Sequence, residues 1–256
     1  MQVVILAGGL GTRLSEETTI RPKPMVEIGD RPILWHIMKL YSHYGFDDFF
    51  IALGYKGEMI KHYFADYHLS SSSMSISLAQ GEVKVLDGDS EEWQVHLIDT
   101  GYASNTGGRL GRLKKYLRPE TFMLTYGDGV ATVNLKDLIR HHQAHGGIAT
   151  ITAVHPPARF GALDIQNDRI IKFVEKSQIR EGWINGGFMV MEPRIFDYIE
   201  DDRTVLEADV LESLADEGQL YAYQHPGFWQ CMDTLRDKRQ LEQLWSEGHP
   251  PWRVWE

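Results

Sequence analysis

The chain has 256 residues, 43% hydrophobic and 24% charged, enough for one large α/β domain or two small ones around a sizeable core. Its formal net charge of −10, with no run of Lys or Arg, argues against a nucleic-acid backbone as partner but leaves room for a small anionic ligand in a locally positive pocket. No apolar stretch approaches 18 residues, the first 25 residues lack the features of a signal peptide, and the lone Cys231 excludes an internal disulfide. The expectation is a cytoplasmic protein that engages neither nucleic acid nor membrane.

In chain order, residues 3–6 form a short apolar run before glycines and predict a buried strand. Asp30 is placed to cap a helix with Pro32 in its first turn. Ile33, Leu34, Ile37, Met38 and Tyr41 share one face of that helix, and Gly45 ends it. Residues 49–53 predict a second strand, 56–67 an amphipathic helix, 70–73 a loop tip and 93–98 a strand. A further strand at 122–126 runs into Gly127-Asp128-Gly129, and 135–145 predicts a helix whose His141, His142 and His145 lie on a solvated face. Residues 148–154 predict another strand. Residues 162–165 and 170–174, joined by Asn167-Asp168, predict a hairpin. Residues 183–191 predict a strand interrupted by Gly186-Gly187, and 233–245 a last helix. The alternation up to residue 154 implies an α/β fold, a doubly wound, mostly parallel sheet with an embedded antiparallel subregion. No linker or repeat divides the chain, so a single domain over 1–256 is expected, with 1–154 as one half and 155–256 as the other.

The glycine-rich stretch Leu6 to Met25, LAGGLGTRLSEETTIRPKPM, is the strongest local signal. It lacks the Gly-Lys-Ser/Thr ending of a Walker A loop. The dinucleotide fingerprint would need a third glycine where Leu14 stands and a long helix behind it, which Pro22 and Pro24 forbid. What remains is a row of small residues whose N–H groups can cradle a polyphosphate, with two cations, Arg13 and Lys23, on either side of the loop. Asp128, at the end of an apolar strand, and Asp233, at a helix start, are candidate metal carboxylates, though a turn or an N-cap would also account for them. No histidine cluster has metal spacing, and no serine or cysteine sits in a nucleophile context.

The stretches LAGGLGTRL and RPKPMVEIG resemble the signature of the sugar-1-phosphate nucleotidyltransferases. TGYASNTGGRLGRL, TYGDGVA, RFGALDI, INGGFMVMEP, HPGFWQCMDTLRDK and PPWRVWE are similar to its cytidylyl branch, over nearly the whole chain and least in 68–92. The resemblance implies a nucleotide-diphospho-sugar transferase fold with Mg²⁺ as cofactor, and a homo-oligomer, trimer or hexamer. It implies attack of α-D-glucose 1-phosphate on the α-phosphorus of CTP. Residues 1–154 would bind nucleotide and 155–256 sugar phosphate. Position by position it implies Leu6, Ala7, Gly8, Gly9, Gly11, Thr12, Arg13, Lys23, Ser104, Thr106, Gly107, Arg109 and Asp128 on the nucleotide. It implies Glu175, Lys176, Asn185 and Gly186 on the sugar phosphate, and Asp128 and Asp233 on the metal. Arg13, Lys23, Asp128 and Asp233 would carry catalysis. Ser177 and Cys231 stand where the family commonly has proline. A thymidylyl- or uridylyltransferase, another sugar phosphate or a phosphonate, and a regulatory module that has lost catalysis are the alternatives. The Gly107-Gly108 pair would belong to the base site, or be a turn that starts a helix at Arg109. The tryptophans of the tail, Trp252 and Trp255, would cover the chain's own sheet or a neighbouring subunit, and 68–92 would reach a neighbour.

Overall fold

The computed structural model describes residues 1–88, 90–157, 162–166, 169–174 and 182–255. Its centre is a seven-stranded sheet in the order Leu220–His225, Ala149–Val154, Ile184–Met191, Phe122–Tyr126, Val3–Ala7, Asp48–Leu53, Gln94–Asp99. The strand Ile184–Met191 runs antiparallel to both neighbours, and the remaining pairings are parallel. The fold is therefore the expected mixed, mostly parallel α/β sheet, and its edge strand Leu220–His225 is one the sequence does not announce.

Every residue of Val3–Ala7 is buried, because the strand has helices on both faces and no polar side to show. Successive side chains alternate between two cores. Val3, Ile5 and Ala7 join the core built by the helix Ile33–His43, with Ile33, Leu34, Ile37, Met38 and Tyr41. Val4 and Leu6 face the opposite core, with Leu110, Leu113, Ile195, Leu206 and Val210. Parallel strands so buried end together at one edge, and the loops that leave their C-terminal ends share one crevice.

Several local expectations change. The helix Ile33–His43 has Pro32 as its N-cap, and Asp30 lies instead in the turn between the short paired strands Glu27–Ile28 and Arg31–Pro32. The helix expected over 56–67 is Gly57–Ala65, followed by the single turn Tyr67–Ser70. Ser72–Ser77 is a strand, not a loop tip, and pairs with Glu82–Gly88 in a hairpin; serine composition hid the alternation of Met74 and Ile76 with serines. Gly107 and Gly108 lie inside the helix Thr106–Leu113 rather than before it. Strands Ala162–Gln166 and Arg169–Val174 pair as expected, while the joining residues 167–168 lie outside the described residues. The last helix is Leu235–Ser246. The tail folds back on its own chain: Trp252 is 1% exposed, stacked on Phe228 at 5.8 Å and on Trp245 at 6.4 Å.

Candidate active site

The loop that leaves the first strand is shaped by close approach. Gly11 takes φ +63°, a left-handed conformation that favours glycine, and its carbonyl accepts bonds from Leu14 N–H and Thr18 Oγ1. At Gly8 a side chain would collide with the guanidinium of Arg109. Among the described residues the N–H groups of Gly9, Leu10 and Gly11 have no protein acceptor, as phosphate binding through backbone amides requires. Leu6, Gly8, Gly9, Gly11, Thr12, Arg13 and Lys23 all line a cavity of about 700 Å³ beneath this loop, together with Ser104, Thr106, Arg109 and Asp128. Ala7 and Gly107 do not line it: Ala7 points into the core, and Gly107 packs against Thr204.

A second cavity, of about 530 Å³, opens beside the first and is lined by Asn185, Gly186, Trp229, Gln230 and Asp233. Arg13, Tyr126, Asp128 and Glu207 line both. Glu175 and Lys176 lie outside the described residues.

Residues distant in sequence meet where the cavities join. Gly129–Ala131 pairs antiparallel with Trp229–Cys231, Gly129 opposite Cys231, and Met232 N–H donates to the Asp128 carbonyl at 2.8 Å. That register sets Asp128 beside Asp233. Lys23 is delivered from a tight turn made by Pro22 and Pro24. Its Nζ lies 2.6 Å from Asp128 Oδ2 and also bonds Asp233 Oδ1, while Arg13 reaches Asp233 Oδ2 at 2.7 Å. Burial by itself would lower the Lys23 pKa, but Asp128 and Asp233 outweigh it and raise the ammonium above its ordinary value. Arg13 remains 73% exposed and can turn toward a ligand.

The helix behind Asp233 explains why that carboxylate is available. Thr234 is the N-cap, and Asp237 completes a capping box by accepting from Asp233 N–H, Thr234 N–H and the Thr234 hydroxyl. Asp233 has no capping duty. Two carboxylates converge on one cationic centre, and no group of three or more His, Cys, Asp or Glu among the described residues is arranged to hold a metal; such a pair suits a hard divalent ion that completes its shell with phosphate oxygens and water.

Arg109 is enclosed by acceptors. Its guanidinium donates to the carbonyls of Leu53 (3.2 Å), Gly101 (2.6 Å) and Tyr102 (3.1 Å) and to Thr100 Oγ1 (3.0 Å), which pins the far wall of the first cavity. Ser104 Oγ donates to the Thr100 carbonyl at 2.6 Å in the same wall. Cys231, beside both acids, is no nucleophile: burial, then the Asp233 and Asp128 charges, push its thiol up to about 12. Of the three helix histidines, His142 departs from the solvated face expected for it. It is 2% exposed, bonded to Thr150 Oγ1 and Glu192 Oε1. Tyr126 and Glu207 escaped the sequence reading; only Tyr126, next to Gly-Asp-Gly, stood beside a recognisable signal.

The Nucleotidyl transferase family model matches residues 2–237. Glucose-1-phosphate cytidylyltransferase of Salmonella typhi is 54% identical over 257 residues, covering all of both chains. A Bacillus subtilis (strain 168) protein named probable glucose-1-phosphate cytidylyltransferase is 44% identical over 256 residues, again all of both. The solved structure of UDP-glucose pyrophosphorylase complexed with UDP-glucose superposes with a TM-score of 0.69 over 97% of this chain and 99% of that one, at 16% identity, a likeness of fold.

Proposed function

The chain belongs to the nucleotidyl transferase family, and from that premise we propose that it is a glucose-1-phosphate cytidylyltransferase, joining CTP and α-D-glucose 1-phosphate into CDP-glucose with release of pyrophosphate. The observation that carries this reading is full-length identity of 54% to a cytidylyltransferase of that specificity. The meeting of Arg13, Lys23, Asp128 and Asp233 at the junction of two cavities supports it.

The sugar phosphate is anionic at neutral pH and needs no general base, so positioning and charge stabilisation are what the protein has to supply. The loop N–H groups and Arg13 would hold the β- and γ-phosphates that leave as pyrophosphate. Lys23 would stand between the α-phosphate and the incoming sugar phosphate, relieving repulsion between two anions that must meet. The family generally uses a divalent metal. We assign Mg²⁺, held by Asp128 and Asp233, and when bound it supplies neutralising charge to phosphate oxygens. Ser104, Thr106 and Arg109 would shape the nucleotide side, and Asn185 and Gly186, with Glu175 and Lys176, the sugar side.

Two further assignments go with this reading. No helix among the described residues is long and apolar enough to cross a membrane, and we place the enzyme in the cytoplasm with its soluble substrates. We also assign a homo-oligomer, trimer or hexamer. With the tail docked on its own chain, support comes from the hairpin Ser72–Ser77/Glu82–Gly88, where Ile76, Leu78, Val83 and Leu86 are 53%, 92%, 51% and 60% exposed.

Purified enzyme assayed for pyrophosphate release with glucose 1-phosphate and each of CTP, UTP, dTTP and ATP tests the function. CTP should give the highest kcat/KM. A preference for dTTP overturns the base assignment and keeps the chemistry, whereas no release with any nucleotide makes the chain a binding module.

A further inference from the structure

We infer that Glu207 is a positioning residue shared by the two substrate cavities, holding the helix start of the nucleotide side with one carboxylate oxygen and the sugar-facing amide of Asn185, through Tyr126, with the other. This rests on the function proposed above and assigns a residue for which no role has been given.

Glu207 lines both cavities. It projects from a segment of π-helix, Leu206–Leu211, a rare widened turn that is frequent at functional sites. Its two oxygens have different partners. Oε2 accepts from Thr106 Oγ1 at 2.6 Å, and Oε1 accepts from the Tyr126 hydroxyl at 2.5 Å.

The directions of these bonds are fixed by the donor inventory. Leu206 N–H donates to Thr106 Oγ1 at 2.9 Å, so the one hydroxyl proton of Thr106 is directed to Glu207. Thr106 opens the helix Thr106–Leu113, which carries Arg109 and lines the nucleotide cavity. On the other side, a carboxylate oxygen can only accept, so the one hydroxyl proton of Tyr126 is directed to Glu207 Oε1. With its proton given to Glu207, the phenol oxygen accepts from Asn185 Nδ2 at 3.4 Å.

Asn185 Oδ1 is already taken by Gly187 N–H at 2.9 Å. The amide therefore cannot flip without losing both contacts, and its second Nδ2 hydrogen is left for the cavity. The site thus offers the sugar a hydrogen-bond donor, which fits a hydroxyl or phosphate oxygen acting as acceptor. A substrate that presents a donor at the same place would leave two donors facing each other, and such mismatches discriminate strongly.

Steady-state kinetics on four full-length variants test this, each also melted to confirm folding. Tyr126→Phe removes the hydroxyl that links Glu207 to Asn185 and should raise KM for glucose 1-phosphate about tenfold, with KM for CTP within about twofold. Thr106→Val removes the bond to Glu207 and the acceptor of Leu206 N–H, both on the nucleotide side, and should do the reverse. Glu207→Ala should raise both, and Glu207→Gln, which keeps the length and one acceptor oxygen, should recover part of the loss. A merely structural residue would lower the folded fraction or kcat without splitting the two KM values. The inference is overturned if Tyr126→Phe and Thr106→Val move the two KM values together, or if Glu207→Ala leaves both within about twofold of wild type. Should Glu207→Ala fail to fold, Tyr126→Phe and Thr106→Val still decide. Wild type inactive with CTP and glucose 1-phosphate removes the proposed function and this inference with it, a result read before any variant is made.

Discussion

The indole N–H of Trp252 donates to Nδ1 of His36 across 3.4 Å, tying the last residues of the chain to its first long helix. The other ring nitrogen, Nε2, lies 2.9 Å from the Ile28 carbonyl, so the ring is the neutral Nε2–H tautomer with both nitrogens engaged. Protonation would put a second donor against Trp252. Trp245 packs edge-on to the same ring at 4.8 Å, and Trp35 at 5.2 Å.

Burial depresses the His36 pKa to about 4. The unfolded chain takes up this proton near pH 6.5 while the folded one does not, so the stability from neutral His36 is fully present above pH 6.5. It is lost as pH falls toward 4, by about 3 kcal/mol over the whole range. His142, His145 and His225 are also lowered by burial and act with the same sign. Urea unfolding at a series of pH values should show stability falling below pH 6.5, with a shallower slope in His36→Gln. Parallel slopes for the two proteins would remove His36 as the cause.

Lys23→Ala should lower kcat on the order of 10²–10³-fold, as loss of a well-placed electrostatic group does. It should also leave Asp128 and Asp233 facing each other without the ammonium that now separates them. Added Mg²⁺ is then expected to raise the melting temperature of Lys23→Ala more than that of wild type. Near-wild-type turnover, or equal Mg²⁺ shifts, would count against the role.

Asp233 and Asp237 are one helical turn apart and should fail differently. Asp237→Ala removes the capping acceptor for Asp233 N–H and Thr234 and is expected to cost about 1 kcal/mol in unfolding free energy. Asp233→Asn leaves the capping box intact and should raise the Mg²⁺ concentration for half-maximal rate more than about tenfold. Titrations of metal against rate, beside denaturant curves, separate the two; the reverse pattern would exchange their assignments.

Light scattering on a chain of 29.3 kDa should report a multiple of that mass at micromolar concentration. Ile76 and Val83 are directly paired across the hairpin, and the double change Ile76→Lys, Val83→Lys should shift the enzyme toward monomer if that face carries the contact. A wild-type value near 29 kDa ends the oligomer assignment.

What the sequence determined by itself is local. The apolar run at 3–6, the 3.6-residue spacing of Ile33, Leu34, Ile37, Met38 and Tyr41, and the helix Leu135–His145 follow from periodicity and short-range chemistry. So does the glycine loop, whose conformation at Gly11 depends on neighbours a few residues away. The strand Ser72–Ser77 escaped because four of its six residues are serine, and its pairing with Glu82–Gly88, not its own propensity, makes it a strand. Trp252 could have covered either a neighbour or its own chain, and only packing against His36, Phe228 and Trp245 decided it. In sequence Asp233 reads first as a helix cap, and only the fold shows that Thr234 and Asp237 cap that helix between them. Glu207 carried no signal, because its partners Thr106 and Tyr126 lie 101 and 81 residues away and a carboxylate's role is set by what the fold brings to its two oxygens.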